Sequence, residues 1–321
     1  MKAVAYSIKT FEKEFLAKAN QKKHEITLIS NSLSSETACY AEGKNAVIVF
    51  NNDDVSGPVI EKLAGFGIKY IVTRSVSTDH IDKAAATKHG IKIAYIPHYS
   101  AIAIAEHTIA LAFALNRKLV KADQLSHLFD FSYDELIGFN FFGKTVGIIG
   151  VGIIGKAVAK IFNGIGCKII GYDPKFPNDS PYITSVSLEE LLASSDIISL
   201  HLPLTSATKY LIRHNTLKQM KDGVMLINAS RGAIINTRDI LAALDSGKVG
   251  YLGLDVCEYE KSGSLEDDEN DFFKDPLLKN LLEDPNVLVT PHQAYLTREA
   301  LQEVADQTIQ SLDLWQKKIH S

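Results

Sequence analysis

Very little in this chain could cross-link it, anchor it in a bilayer or hold it to a polyanion. Only three of its 321 residues are cysteine, and Cys39, Cys167 and Cys257 are scattered at no metal-ligand spacing, which argues against a disulfide scaffold and a zinc module. No apolar run is long enough to cross a membrane; the best candidate, 101–115, is interrupted by Glu106 and His107. The first ten residues lack the apolar centre of a secretion signal. A formal net charge of -4 leaves no electrostatic footprint for nucleic acid or an anionic membrane, and the acidic stretch 266–271 reads as a solvated loop. These absences predict a soluble protein in a reducing, cytoplasmic setting, with no metal site and neither nucleic acid nor membrane as partner.

What the sequence does contain is a long alternation of short apolar runs and polar, helix-like segments. Runs at 3–6, 26–29, 46–50, 70–73 and 91–95, separated by segments such as 10–20 and 79–89, predict a first parallel α/β unit. The same grammar returns at 144–149, 168–172, 197–200, 224–228, 250–255 and 287–290, six strand candidates for a second, doubly wound parallel sheet. Segment 101–118 is apolar on nearly every face and reads as one long helix buried between the units, a natural hinge element. Segment 297–319 is helical again, and its most economical place is packed back on the first unit. The expected division is therefore a discontinuous domain of residues 1–99 and 298–321 and a second domain of residues 100–297.

The opening of the second unit carries a glycine fingerprint in its proper context. Gly150, Gly152 and Gly155 follow a short buried strand and lead into apolar spacing of helical period over 153–162. Gly150 permits a tight turn, Gly152 lets the backbone approach a pyrophosphate, and Gly155 allows close helix-to-strand packing. The helix that follows aims unpaired N–H groups and its positive dipole end at the phosphates. Asp173, at the end of the next strand, has the spacing of an acid that binds an adenosine ribose 2′-hydroxyl and repels a 2′-phosphate. NAD, rather than NADP, is the expected cofactor.

Three residues then stand just beyond strand candidates of the same unit: Arg231 in N-A-S-R-G, Glu260 in D-V-C-E-Y-E and His292 in T-P-H-Q-A. Ligands of open α/β sheets bind outside the carboxyl ends of the strands. An arginine fork can hold a carboxylate and polarise a carbonyl. A histidine can exchange a proton with the carbonyl oxygen as hydride moves to or from carbon, and a carboxylate at the imidazole fixes its tautomer and favours its charged form. Together with a nicotinamide cofactor, these types suit interconversion of a 2-oxo acid and a 2-hydroxy acid.

At these residues the chain resembles the D-2-hydroxyacid dehydrogenase family, and most closely its D-lactate dehydrogenase branch. The resemblance covers nearly the whole length, through R-S-V-S-T-D-H-I-D at 74–82, Y-S-A-I-A-I-A-E-H at 99–107, H-L-P-L-T at 201–205, N-A-S-R-G at 228–232, L-D-V-C-E-Y-E at 254–260 and T-P-H-Q-A-Y-L-T at 290–297. It implies an α/β fold: a Rossmann-type doubly wound parallel sheet for NAD, plus a flavodoxin-like α/β substrate domain. It implies that Arg231 binds and orients substrate, Glu260 partners the histidine and His292 is the proton donor. The N–H groups of Val76 and Ser77 would grip the substrate carboxylate, with Tyr99 at the pocket wall and Tyr295 near the substrate methyl. Ile153, Ile154, Asp173, Leu202, Pro203, Thr208, Ala229, Ser230 and Asp255 join Gly150, Gly152 and Gly155 as cofactor contacts. The implied reaction is reduction of pyruvate to D-lactate. A homodimer or homotetramer is implied too, formed through the helix from Ala101 and a loop holding Phe129, Phe131, Phe139, Phe141 and Phe142, because exposed aromatics mark interfaces.

Two positions depart from the family pattern. Ser77 stands where glycine is usual, which puts the backbone angles of the carboxylate grip in question, and Ile153 replaces a common histidine or arginine in the phosphate turn, leaving pyrophosphate to backbone N–H groups. Other 2-oxo acids (branched ones, hydroxypyruvate or 3-phosphoglycerate) are alternative substrates. An NADH-sensing binding protein of the same fold is a reading from another class. His201 is read as lining the adenosine side of the cleft, His98 and His107 as packing or hinge residues.

Overall fold

The computed structural model describes residues 1–97, 100–177, 179–258 and 276–319, which fall into two compact units. One holds Met1–Ser100 and Leu296–Ser321, and the other the described residues from Ala101 to Tyr295. In the first, β1 (Lys2–Ala5), β2 (Glu25–Leu28), β3 (Ala46–Val49), β4 (Tyr70–Thr73) and β5 (Lys92–Ala94) form a parallel sheet in the order β2-β1-β3-β4-β5, the flavodoxin-like arrangement. Parallel strands are covered on both faces and so read as continuous apolar runs. Val4, Val47, Val49 and Ile71 pack with Val59, Ile60 and Leu63 of α2 (Gly57–Gly65). On the opposite face Ala5, Ile48 and Val72 meet Ile309, Leu312 and Trp315 of the closing helix, Arg298–Ile319. Trp315 stacks on Tyr70 with ring centroids 4.7 Å apart.

The helix expected over 79–89 begins only at Lys83. Ile81 is drawn into a β-bridge with Val55, and the Asp82 carboxylate caps the helix by accepting from the Ala85 N–H at 2.9 Å.

The second unit has seven parallel strands among its described residues, not six. These are β6 (Thr145–Ile149), β7 (Lys168–Tyr172), β8 (Thr184–Ser185), β9 (Ile197–Leu200), β10 (Val224–Asn228), β11 (Val249–Leu254) and β12 (Val287–Val289), ordered β12-β11-β10-β9-β6-β7-β8. The unexpected strand, β8, is two exposed polar residues paired with Ile170 and Gly171, and it carries no apolar signal. From β6 the chain winds outward through β7 and β8, then returns to lay β9 to β12 on the other side. The switch point lies between β6 and β9, where such folds open a ligand crevice.

The long helix expected over 101–118 is α4 (Ala101–Asn116); Lys118 adopts a left-handed φ of 50° and a further helix, Leu119–His127, follows. Leu111 and Leu115 of α4 lie over β11, where a Cβ on Gly253 would come within 3.1 Å of Leu115. The buried Asn116 amide clasps the Phe139 backbone, donating to its carbonyl at 2.7 Å and accepting its N–H at 2.8 Å. That clasp turns Phe139 and Phe141 inward against Phe113 and Phe162, so these two aromatics belong to the core rather than to an exposed loop. Phe129, Phe131 and Phe142 are exposed.

Candidate active site

Gly150 ends β6 with φ +94°, and a Cβ there would stand 2.2 Å from the His201 carbonyl oxygen at the end of β9. The two strand ends at the switch point are thus pressed together as only glycine allows. Gly155, in the first turn of α6 (Ile153–Gly164), faces the Gly150 carbonyl, 2.1 Å from where its Cβ would be. Gly152 is different: its Cβ would meet nothing within 4 Å. The turn therefore leaves open space directly beside its middle glycine, in front of the N–H groups of Ile153, Ile154 and Gly155, which have no intrahelical acceptor. This is the shape and polarity that a pyrophosphate requires. Ile153 is 60% exposed beside that space, and Lys156 is paired with Asp179 at 2.5 Å, so backbone donors and the helix dipole are what this turn offers an anion.

Asp173 follows β7 and holds the turn from the side. One carboxylate oxygen accepts the Val151 N–H at 2.9 Å and the other the Lys175 N–H at 2.8 Å. The half-buried carboxylate keeps further lone pairs for a ribose hydroxyl. Beyond β9, Leu202 packs near Gly150, and Thr208 closes the next turn by donating to the Pro203 carbonyl at 2.6 Å. His201 is half-buried beneath this edge, its Nε2 2.8 Å from the Ser199 hydroxyl and its inaccessible Nδ1 without a partner among the described residues. Burial lowers its pKa to about 4, which keeps the ring neutral.

Arg231 follows β10 on a loop pinned by the fully buried Asn228. The Asn228 Oδ1 accepts from the Ser230 N–H and hydroxyl, at 3.0 and 2.8 Å, while its Nδ2 donates to the Arg231 carbonyl at 2.9 Å. Ala229 and Ser230 are half-buried on that loop. Gly232 lets it press on the segment after β11, because a Cβ there would lie 1.9 Å from the Cys257 carbonyl oxygen. In that segment Glu258 accepts from the Tyr210 hydroxyl at 2.5 Å and from the Thr237 N–H at 2.8 Å. Glu260 and Tyr99 lie outside the described residues.

His292 follows β12 and is exposed, with a left-handed φ of 53°. Around it the chain is tied to Asp255, whose carboxylate is 1% exposed at the end of β11. Asp255 accepts from the Thr290 hydroxyl at 2.6 Å, the Gln293 N–H at 3.0 Å and the Ala294 N–H at 2.9 Å. Burial alone would raise the Asp255 pKa, but hydrogen bonds from His107, Thr290, Ala294 and Gln293 outweigh it and hold the carboxyl below its ordinary value. Because β12, β11 and β10 are neighbours in that order, His292, Asp255 and Arg231 stand side by side on one carboxyl edge, on loops whose strands are about 5 Å apart at each step. Tyr295 is half-buried three residues beyond His292. Sequence reading missed the anchoring roles of Asn228 and Thr290; both lie in quoted motifs, but only the folded loops show what their side chains hold.

In the first unit, the loop after β4 presents Val76 and Ser77 with backbone N–H groups that donate to no acceptor among the described residues. Ser77 does not take the left-handed conformation, so serine fits where glycine was expected. Its hydroxyl donates to the Asp79 carboxylate at 2.8 Å, and its carbonyl accepts from the Ser75 hydroxyl at 2.7 Å.

Residues 109–294 match the model of the D-isomer specific 2-hydroxyacid dehydrogenase NAD binding domain. The chain is 39% identical over 321 residues to D-lactate dehydrogenase of Escherichia coli, covering 99% of this chain and 97% of that one. It is 36% identical to the aromatic 2-oxoacid reductase of Clostridium sporogenes, over 99% of this chain and 97% of that one. The structure of a pyruvate reductase of Chlamydomonas reinhardtii superimposes with a TM-score of 0.91 at 40% identity, covering 97% of this chain and 94% of that one. With the NAD-type glycine turn and the Arg231 and His292 edge in place, the chain belongs to the D-isomer specific 2-hydroxyacid dehydrogenase family and is an NAD-dependent oxidoreductase.

Proposed function

We propose that this enzyme is a D-lactate dehydrogenase that reduces pyruvate to D-lactate, reversibly, with His292 as its proton donor. The observation that carries the reading is the order of the carboxyl edge: Arg231 and His292 flank the Asp255 strand end, on the side of the switch point where the nicotinamide would extend from the Gly150 turn. NADH, when bound, supplies the hydride. Arg231 orients the substrate carboxylate and draws charge toward the ketone oxygen. His292 hands its proton to that oxygen and takes it back in the reverse direction. Glu258 is committed to Tyr210 and Thr237, which favours Glu260 as the carboxylate that partners His292.

Val76 and Ser77 would grip the substrate carboxylate, with Tyr99 and Tyr295 as further substrate contacts. Gly150, Gly152, Gly155, Ile153, Ile154, Asp173, Leu202, Pro203, Thr208, Ala229, Ser230 and Asp255 would line the cofactor. The domain division at 99/100 and 297/298, self-association as a dimer or tetramer, and a cytoplasmic location complete the proposal. A second reading, reduction of a larger 2-oxo acid, is favoured by the likeness to the aromatic 2-oxoacid reductase. Pyruvate-dependent NADH oxidation, run beside branched and aromatic 2-oxo acids with chiral analysis of the product, decides between them by kcat/KM. His292→Ala is expected to lose kcat by about two to four orders of magnitude; near-normal turnover in that variant would remove His292 from the role.

A further inference from the structure

His107 lies on α4, a helix of sixteen residues that the reaction does not otherwise use, and its ring reaches the same carboxyl edge. Its Nε2 is 3.0 Å from the Thr290 hydroxyl oxygen and 3.3 Å from Asp255 Oδ1. The direction of these bonds follows from charge. Asp255 is ionised and has no proton to give, so the Thr290 hydroxyl donates to it. The Thr290 oxygen must then accept from His107, and Nε2 must carry the hydrogen.

The bonded groups enclose His292 in the chain. Thr290 stands two residues before it, and the Gln293 and Ala294 N–H groups that reach Asp255 come immediately after it. Successive N–H groups after a left-handed residue form an anion-binding concavity. The Asp255 carboxylate fills this one, and doing so holds His292 at a positive φ that is uncommon outside glycine. His107 is the side chain from outside the loop that fixes the orientation of both the carboxylate and the hydroxyl.

We propose that His107 is a positioning residue for the reaction: its Nε2–H, shared between Thr290 and Asp255, locks the left-handed turn that aims His292. The inference rests on the reading of His292 as proton donor. It gives His107 a purpose beyond packing, and it makes the donor, not the ring, the functional part.

Two variants and two readouts test it. His107→Phe keeps a planar ring and removes the donor, whereas His107→Gln retains an N–H at the end of a side chain of similar reach. With His107→Phe, kcat is expected to fall about tenfold, because a reacting group displaced by a fraction of an ångström loses rate steeply. KM for the 2-oxo acid should stay within about twofold of wild type, and the isotope effect with 4-deuterated NADH should rise as the chemical step slows. Exchange of the Gln293 and Ala294 amide hydrogens should accelerate about tenfold as the Asp255 bonds loosen. His107→Gln should recover most of both losses.

A folded His107→Phe with kcat and amide exchange within twofold of wild type would overturn the proposal, and so would a His107→Gln no better than His107→Phe. The exchange readout needs no turnover. A wild type inert toward every 2-oxo acid, yet showing the predicted exchange pattern, would remove the dehydrogenase reaction while leaving the His107 lock in place.

Discussion

Gly150→Ala and Gly152→Ala add the same methyl group two residues apart and should fail in opposite ways. At Gly150 the new Cβ would lie 2.2 Å from the His201 carbonyl oxygen and 2.7 Å from its carbon. Both are backbone atoms at the end of a buried strand, so nothing can rotate away. A left-handed φ costs an L-residue about 1–2 kcal/mol, and relieving the overlap by shifting backbone adds about 1–3 kcal/mol. The expected destabilisation is about 2–5 kcal/mol. At Gly152, φ is -78° and the Cβ enters empty space, so the cost is that of alanine at a helix N-cap, under about 1 kcal/mol.

That empty space is the space proposed for the pyrophosphate. A methyl group there pushes the anion off the first-turn N–H groups, and loss of one charge-assisted hydrogen bond weakens binding by about tenfold or more. Urea unfolding monitored by circular dichroism gives the first quantity, and NADH fluorescence titration the second. Gly150→Ala should lower the unfolding midpoint without a change in m-value; Gly152→Ala should keep the midpoint and lose cofactor. A Gly152→Ala protein that binds NADH like wild type, or a Gly150→Ala protein of wild-type stability, would refute the reasoning.

Asp173→Ala removes the acceptor for the Val151 and Lys175 N–H groups as well as the charge, so kcat/KM with NADH should fall while discrimination against NADPH relaxes, and unfolding should ease by about 1–3 kcal/mol; steady-state kinetics with both cofactors and a urea titration measure this. His201 gives an acid-side signature. Its folded pKa of about 4 lies below the unfolded value near 6.5, so the unfolded chain takes up the proton first. The contribution is complete above pH 6.5 and is lost as pH falls from there toward 4, by at most about 3 kcal/mol. His201→Gln should flatten stability against pH in that window, seen as a smaller drop in Tm between pH 7 and pH 5. The exposed rings of Phe129 and Phe131, 87% and 75% accessible, would be covered in the proposed oligomer; Phe129→Asp with Phe131→Asp should shift sedimentation toward the monomer without lowering its Tm.

The carboxyl edge was legible because parallel strands announce themselves twice, as apolar runs and by the polar residue that follows each one. Arg231 and His292 each come three residues after a strand end, and strand order does the rest; Glu260, expected beside them, lies outside the described residues. β8 left no such trace, since two exposed residues at a sheet margin need no apolar pattern. Nor did the aromatic loop resolve itself. Phe139 and Phe141 look like Phe129 and Phe131 in sequence, and only the Asn116 clasp on the Phe139 backbone sorts core from surface. The Ser77 question had the same character: glycine is replaceable there because the observed φ is not left-handed, a fact about backbone that composition does not carry.

His292 shows the converse and links local geometry to chemistry. A left-handed histidine flanked by proline and glutamine has no intrinsic reason to persist, for an isolated T-P-H-Q-A segment would relax to a commoner φ. It persists because a carboxylate from the neighbouring strand is buried where, among the described residues, those N–H groups, a hydroxyl and the His107 ring satisfy it, and an ionised group left unsatisfied there would cost more than the strained turn. Stability of the Asp255 burial and orientation of His292 are therefore one interaction read at two ends. Asp255→Asn, which turns one acceptor oxygen into a donor facing other donors, should lower stability and kcat together, whereas His292→Ala leaves the Asp255 bonds in place and should cost kcat about two to four orders of magnitude with a smaller loss of stability. Urea midpoints measured beside kcat separate the two outcomes, and an Asp255→Asn protein that lost activity at undiminished stability would break the link.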